Sequence, residues 1–211
     1  MTKLVTLSGS YGDASKTGGL INAIANRAVE KYYFSLFQYD MADLGASLGL
    51  AKSVNNLELS AQKVIDQIAD ADALIIGTPV YKGSYPGLFK HFIDLLDPDI
   101  LYGKPVLLAA TGGGNRHALV VEHQLRPLLG FFMAHSLPTA IYASSQDYSE
   151  NQELINPDIL QRISQAVDEF TPFVTRSKAN HPEIVENDEF KSFDRRIFQT
   201  IGHSLKIQGV N

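Results

Sequence analysis

The 211-residue chain contains no cysteine. That excludes disulfides, thiolate metal ligands, cysteine-held iron–sulfur clusters and a catalytic thiol, so any redox chemistry has to be carried by a bound cofactor. No apolar run approaches the roughly 20 residues needed to span a bilayer. There is no basic run either: 18 Lys and Arg against 23 Asp and Glu leave a formal net charge of −5, which argues against nucleic acid as the main partner. The N-terminus enters a strand pattern without the regions of a signal peptide, so a cytoplasmic address is expected. The G-x-x-x-x-G-K, G-x-G-x-x-G and H-E-x-x-H motifs are all missing.

What is present begins at Leu4. The apolar run Leu4-Val5-Thr6-Leu7 breaks into Ser8-Gly9-Ser10, and Ser15-Lys16-Thr17 then leads into helical spacing at Leu20, Ile21, Ile24 and Ala28. A strand that ends in small hydroxyl residues and feeds a helix is a ready-made anion site, because free N–H groups and the positive dipole end face the loop. Ser10, Ser15 and Thr17 add hydroxyls and Lys16 a charge, as a phosphate cradle requires. The same residues fit an ordinary strand-to-helix turn in which Ser15 caps the helix.

Further along, Tyr33–Tyr39 alternates as a second strand, and 41–56 has no convincing period and is expected to be a long loop with room for a short helix. A helix is predicted over Leu59–Ala69. The continuous apolar run Ala73–Gly77 suits a central parallel strand, followed by the polar loop from Thr78 and a helix opening at Pro86. Strand four, Val106–Ala110, ends in Thr111-Gly112-Gly113-Gly114. A helix from about Arg116 to Met133, a fifth strand Thr139–Ala143 and a last helix over 157–176 complete the pattern. Alternation of this kind means right-handed βαβ crossovers. The fold class expected is α/β, a doubly wound five-stranded parallel sheet of flavodoxin-like order 2-1-3-4-5, over residues 1–176. Residues 177–211 are expected to add a linker and an amphipathic helix striped by Phe190, Phe193, Ile197, Ile201 and Leu205.

In such a sheet the ligand lies beyond the carboxyl ends of the strands, at the switch between strands one and three. Three small polar loops meet there: Ser8–Thr17, Thr78–Ser84 and Thr111–Gly114. They match the needs of flavin mononucleotide (FMN). Ser10, Ser15, Lys16 and Thr17 suit its phosphate. Pro79, Val80 and Tyr81 offer an apolar face and backbone N–H groups for the ribityl chain and ring, and Thr111, Gly112 and Gly113 leave room at the polar ring edge.

These residues closely resemble a known family. Thr78-Pro79-Val80-Tyr81-Lys82, the Ser10 to Thr17 loop, Ala110 to Gly114 with His117 three residues on, and Leu125-Arg126-Pro127-Leu128-Leu129 are similar to the NAD(P)H-dependent FMN reductases. Within that family they look most like the reductase components of two-component alkanesulfonate and methanesulfonate monooxygenases. The resemblance spans roughly residues 1–175, and carried over by position it implies that Lys82 joins Pro79, Val80 and Tyr81 along the ribityl chain and ring. It implies reduction of FMN by NADPH or NADH, a homodimer or homotetramer, and delivery of reduced flavin to a flavin-dependent monooxygenase in sulfur assimilation. Family members often have Arg where this chain has Lys16, so a point charge replaces a two-pronged guanidinium and a looser grip on flavin is expected. Alternatives are a quinone or azo-compound reductase that retains FMN, and a flavodoxin-type electron carrier, which would be expected to be more acidic.

Pro127 interrupts its helix and cannot donate to the carbonyl of His123, so the helix should widen or kink there, a π-bulge being one solution. In the resembling reductases that position is an inserted residue of a π-helix at a subunit interface, linked to flavin transfer. His123 is therefore the interface and flavin-transfer candidate; the plainer reading is a half-buried histidine that only hydrogen-bonds. His117 reads as helix-start scaffolding, and His91 with Asp94 as a solvated helix face lacking a third ligand. No catalytic side chain is named, because hydride transfer needs proximity and stacking rather than an obligatory protein acid.

Overall fold

In the computed structural model of the protein, residues 2–11 and 15–176 are described. β1 (Lys3–Ser8) leads through the first loop to α1 (Lys16–Tyr32) and β2 (Ser35–Tyr39). Then come α2 (Leu59–Ala69), β3 (Ala73–Pro79), α3 (Gly87–Leu95) and β4 (Pro105–Gly112). A short α4 (Arg126–Gly130) precedes β5 (His135–Ser136) and β6 (Ile141–Ser144), and α5 (Pro157–Asp168) and α6 (Thr171–Arg176) follow. The order β2-β1-β3-β4-β5 is the expected one, and every pairing is parallel.

Alternation along the strands builds the two halves of the core. Val5, Leu7, Leu74, Ile76, Val106 and Leu108 face α2 and α3, while Leu4, Ala73, Ile75, Leu107 and Ala109 face α1 and α5. Because β1 is flanked by β2 and β3, the chain leaves β1 toward one face and β3 toward the other. This divergence opens the crevice at the carboxyl ends.

The fifth sheet position departs from expectation in being filled twice. β5 pairs with the start of β4 (Pro105 with His135) and β6 with its end (Ala109 with Ile141). Pro138 lies between them and cannot donate to a ladder. Arg126 takes the carbonyls of Leu137 (2.8 Å) and Pro138 (3.2 Å), and Glu169 accepts from the Thr139 N–H (2.9 Å).

Several boundaries also shift for local reasons. Tyr33 is not in β2; at φ 57° it is the left-handed residue closing α1, its N–H on the Val29 carbonyl. Segment 41–56 buries Met41, Leu44, Leu48 and Ala51 at three- and four-residue spacing. Gly45 at φ 68° breaks what would be a helix, leaving short 3-10 turns at Ala46–Leu50 and Val54–Asn56. The last helix is cut at 169–170: Pro172 cannot bond the Asp168 carbonyl, which instead accepts from the hydroxyls of Tyr32 and Thr171.

The expected helix from Arg116 to Met133 is three pieces: a 3-10 turn at Asn115–His117, a π-helical turn at Val121–Leu125, and α4. The Arg126 N–H reaches back five residues to the Val121 carbonyl. The widening thus lies just before Pro127, as its missing donor requires. Among the described residues no helix is long and apolar enough to cross a membrane. The extension expected over 177–211 lies outside the described residues.

Candidate active site

Ser8 ends β1 with its hydroxyl 2.7 Å from that of Ser10, and the Ser15 hydroxyl donates to Ser10 across 2.6 Å. Ser15 is also the N-cap of α1, accepting from the N–H groups of Thr17 and Gly18, both at 3.2 Å. Capping and cradle are therefore one arrangement, in which the cap hydroxyl heads a chain of three serines at the positive end of a 17-residue helix. No acidic residue occupies the first turn of that helix. Hydroxyls, a helix N-terminus and the Lys16 ammonium, with no carboxylate among them, are a donor set that fits a phosphate.

Direct hydrogen bonds join this loop to the third, and the third to the second. The Thr17 and Thr111 hydroxyls, 94 residues apart in sequence, lie 2.6 Å apart and are buried. The Val80 N–H donates to the Thr111 carbonyl at 2.7 Å. One junction thus gathers Ser10, Ser15, Lys16, Thr17, Val80 and Thr111, while Pro79 ends β3 and Gly112 ends β4.

Beyond Val80 the chain makes a tight hairpin. The N–H groups of Tyr81 and Ser84 donate to each other's carbonyls at 2.8 and 3.2 Å. Lys82 (φ 54°) and Gly83 (φ 87°) sit between them in left-handed backbone, the signature of a two-residue turn with both central angles positive. Tyr81 is 60% exposed and free to present its ring.

The two glycines assigned to the ring edge differ. At Gly113 a Cβ would meet nothing within 4 Å, so this backbone is open to approach. At Gly112 a Cβ would collide with the Tyr142 hydroxyl, which donates to the Gly114 carbonyl at 2.6 Å. The smallness of Gly112 is therefore already used by Tyr142. Gly9 is similar, its Cβ position lying 2.9 Å from both Phe89 and the Thr78 hydroxyl.

Four polar residues were missed: Ser8, Gln124, Tyr142 and Tyr148. Tyr142 lies inside β6, next to last in the fifth strand expected from sequence (Thr139–Ala143), so the carboxyl-end rule carried to that strand would have found it. Tyr148 donates to the Lys16 carbonyl (3.0 Å), and its ring lies 5.5 Å from the Lys16 ammonium. Burial, aided by Asp147, pushes this phenol far above its ordinary range and keeps it a donor. Burial and the Asp147 charge also raise Tyr142.

A polar cavity of about 370 Å³ adjoins Ser8 between β1, β2 and α1. Its Asp40 and Asp43 carboxylates accept from backbone N–H groups of their own turn, and they make it unsuitable for a phosphate.

His123 is exposed on the π-helical turn, its N–H on the Leu119 carbonyl (2.9 Å). Leu119, Phe131 and Met133 are exposed apolar residues nearby in sequence. His117 accepts from Arg116 at 3.1 Å. Asp94 pairs with Lys90, and the described residues contain no group of three or more potential metal ligands.

Comparison with known proteins agrees with this geometry. The family model described as NADPH-dependent FMN reductase matches residues 2–149. An FMN reductase (NADPH) of Pseudomonas aeruginosa is 41% identical over 170 residues, covering 81% of this chain and 91% of that protein. The NADH-dependent FMN reductase SfnF of Pseudomonas putida is 40% identical over 176 residues, covering 81% and 92%. Among solved structures, an oxidoreductase from Corynebacterium diphtheriae superposes with a TM-score of 0.75 at 29% identity, over 83% of this chain and 98% of that one. The chain belongs to the NADPH-dependent FMN reductase family and is an NAD(P)H:FMN oxidoreductase of flavodoxin-like fold.

Proposed function

We propose that this reductase binds FMN across the three joined loops and releases it reduced to a flavin-dependent monooxygenase that cleaves carbon–sulfur bonds. The observation that carries the assignment of the site is the junction itself. Loops far apart in sequence are tied by Thr17 to Thr111 and by Val80 to Thr111, beside a helix whose first turn holds no acidic residue. Ser10, Ser15, Lys16 and Thr17 would hold the phosphate. Pro79, Val80, Tyr81 and Lys82 would line the ribityl chain and ring, and Thr111, Gly112 and Gly113 the ring edge. Bound FMN supplies the chemistry by accepting hydride from the nicotinamide. The protein's own part is to hold the two in contact and limit water between them, which needs no protein acid.

Release is favoured by the kind of grip available. Lys16 is a point charge shared with the Tyr148 ring, whereas an arginine would make a planar two-pronged contact. The motif resemblance supports a monooxygenase as recipient. The exposed residues His123, Leu119 and Phe131, close in sequence, suit an interface of a symmetric homodimer or homotetramer.

The deciding measurement is steady-state oxidation of NADPH and NADH with and without added FMN, together with flavin retention on dilution. Turnover should rise with added FMN, and the protein should lose its yellow colour when diluted. Turnover independent of added flavin, with colour retained, would refute release and favour a quinone or azo-compound reductase.

A further inference from the structure

The π-helical turn and the hairpin after β3 are joined by one side chain. The Gln124 amide donates from Nε2 to the Gly83 carbonyl at 3.2 Å, and its Oε1 accepts from the Ser84 hydroxyl. It thus grips two consecutive residues of the turn that holds Lys82 and Gly83 at positive φ. That conformation is disfavoured for a residue with a side chain, and it persists only where surrounding contacts over-determine it. At Gly83 a Cβ would meet nothing within 4 Å, so packing against that position does not hold the turn. The turn is held by its own Tyr81–Ser84 backbone pair, at its base by the Val80 bond to Thr111, and at its far half by Gln124.

The reach of Gln124 follows from the helix defect. Val121 and Leu125 are buried, Glu122 and His123 are exposed, and Gln124 is left half-buried toward the hairpin. Without the five-residue bond from Arg126 to Val121 the side chains around this turn would point in different directions.

We propose that Gln124 is a positioning residue for the flavin ring, holding the Tyr81–Ser84 turn in its ligand-ready shape. The proposal rests on the reading that Pro79–Lys82 lines the ring. The role calls for an amide, because one donor and one acceptor are needed together. Glutamate keeps an acceptor for Ser84 but sets a carboxylate against the Gly83 carbonyl, and leucine keeps the bulk with neither bond.

The test compares the intact protein with its Gln124→Leu, Gln124→Glu, Ser84→Ala and Tyr81→Ala variants. Amide hydrogen exchange over 81–84 is measured without flavin, and FMN affinity by quenching of flavin fluorescence. In both Gln124 variants the Ser84 amide should exchange faster, and the Kd for FMN should rise about five- to tenfold, the worth of one or two hydrogen bonds. KM for FMN should rise in step while kcat stays within about twofold, because the loss is in placing flavin rather than in the transfer. Ser84→Ala removes one bond from the hairpin side without touching the helix. Combined with Gln124→Leu it should add little beyond the single change. Unchanged exchange at Ser84 in Gln124→Leu overturns the clamp. Faster exchange with unchanged FMN affinity overturns its role in flavin placement. Tyr81→Ala reads the loop independently: if that variant also binds FMN normally, the assignment of the loop to the ring has failed, rather than the clamp.

Discussion

Replacing Thr17 by valine removes one hydroxyl while keeping shape. In the folded protein Thr17 is 1% exposed and Thr111 is 6% exposed, and their hydroxyls lie 2.6 Å apart. Thr17→Val therefore leaves the Thr111 hydroxyl buried without this partner, at a cost of about 1–3 kcal/mol, and Thr111→Val does the same in reverse. With an m-value of about 2 kcal/mol/M, a loss of about 2 kcal/mol lowers the urea midpoint by about 1 M. The double variant puts two apolar groups of the same shape in contact and should lie close to the parent. The two single losses should thus be strongly non-additive. FMN titration separates folding from function. Stability should return in the double variant and FMN affinity should not, because the assigned phosphate and ring-edge contacts need hydroxyls. Additive losses would show that the two hydroxyls do not serve each other. Recovery of both stability and FMN affinity would remove Thr17 and Thr111 from the site.

Gly112→Ala should cost about 1–3 kcal/mol by overpacking against the Tyr142 hydroxyl. Adding Tyr142→Phe should recover part of that, because the ring carbon behind the hydroxyl is 3.3 Å from the new methyl, a gap small shifts can relieve; chemical denaturation with no recovery would refute this packing. At Asp147, burial raises the carboxyl pKa, but bonds from the Ser144 N–H, Asn156 and the Ser144 hydroxyl outweigh it and hold the pKa below the ordinary value. A depressed folded-state pKa contributes stability that is present above the unfolded value, about 3.9, and is lost as pH falls through the folded one. Asp147→Asn should accordingly flatten the acid limb of Tm against pH below about pH 4, and an unchanged slope there would count against it. His123→Ala should alter FMN retention or oligomeric state more than the fold. Light scattering and flavin titration identical to the parent's would sink that expectation.

The strand order and the meeting of the three loops were legible because both follow from local pattern. Apolar runs such as Ala73–Gly77 and the hydroxyl-rich ends of β1, β3 and β4 can be read without a partner. What was not legible depends on atoms distant in sequence. Gly112 looked like room for a ligand, yet Tyr142, thirty residues on, fills that room. Nothing beside Gln124 announces that it grips Gly83 and Ser84 some forty residues earlier. Tyr33 resembled the start of a strand because an aromatic at positive φ leaves no mark in an alternating pattern. The spacing of Met41, Leu44, Leu48 and Ala51 is helical, but Gly45 and Gly49 hid it. Pro127 is the contrary case: a missing donor is a local fact, and it placed the widened turn to within two residues.

The divided fifth strand has a consequence for how copies of this chain can associate. An edge strand with a row of free N–H and C=O groups is a template for another chain's backbone. Here that border consists of a two-residue and a four-residue piece separated by Pro138. At the break, Arg126 occupies the Leu137 and Pro138 carbonyls, and Glu169 takes the Thr139 N–H. Among the described residues this edge of the sheet offers no continuous ladder to extend, so a second copy cannot add a strand along it without first displacing Arg126 and Glu169.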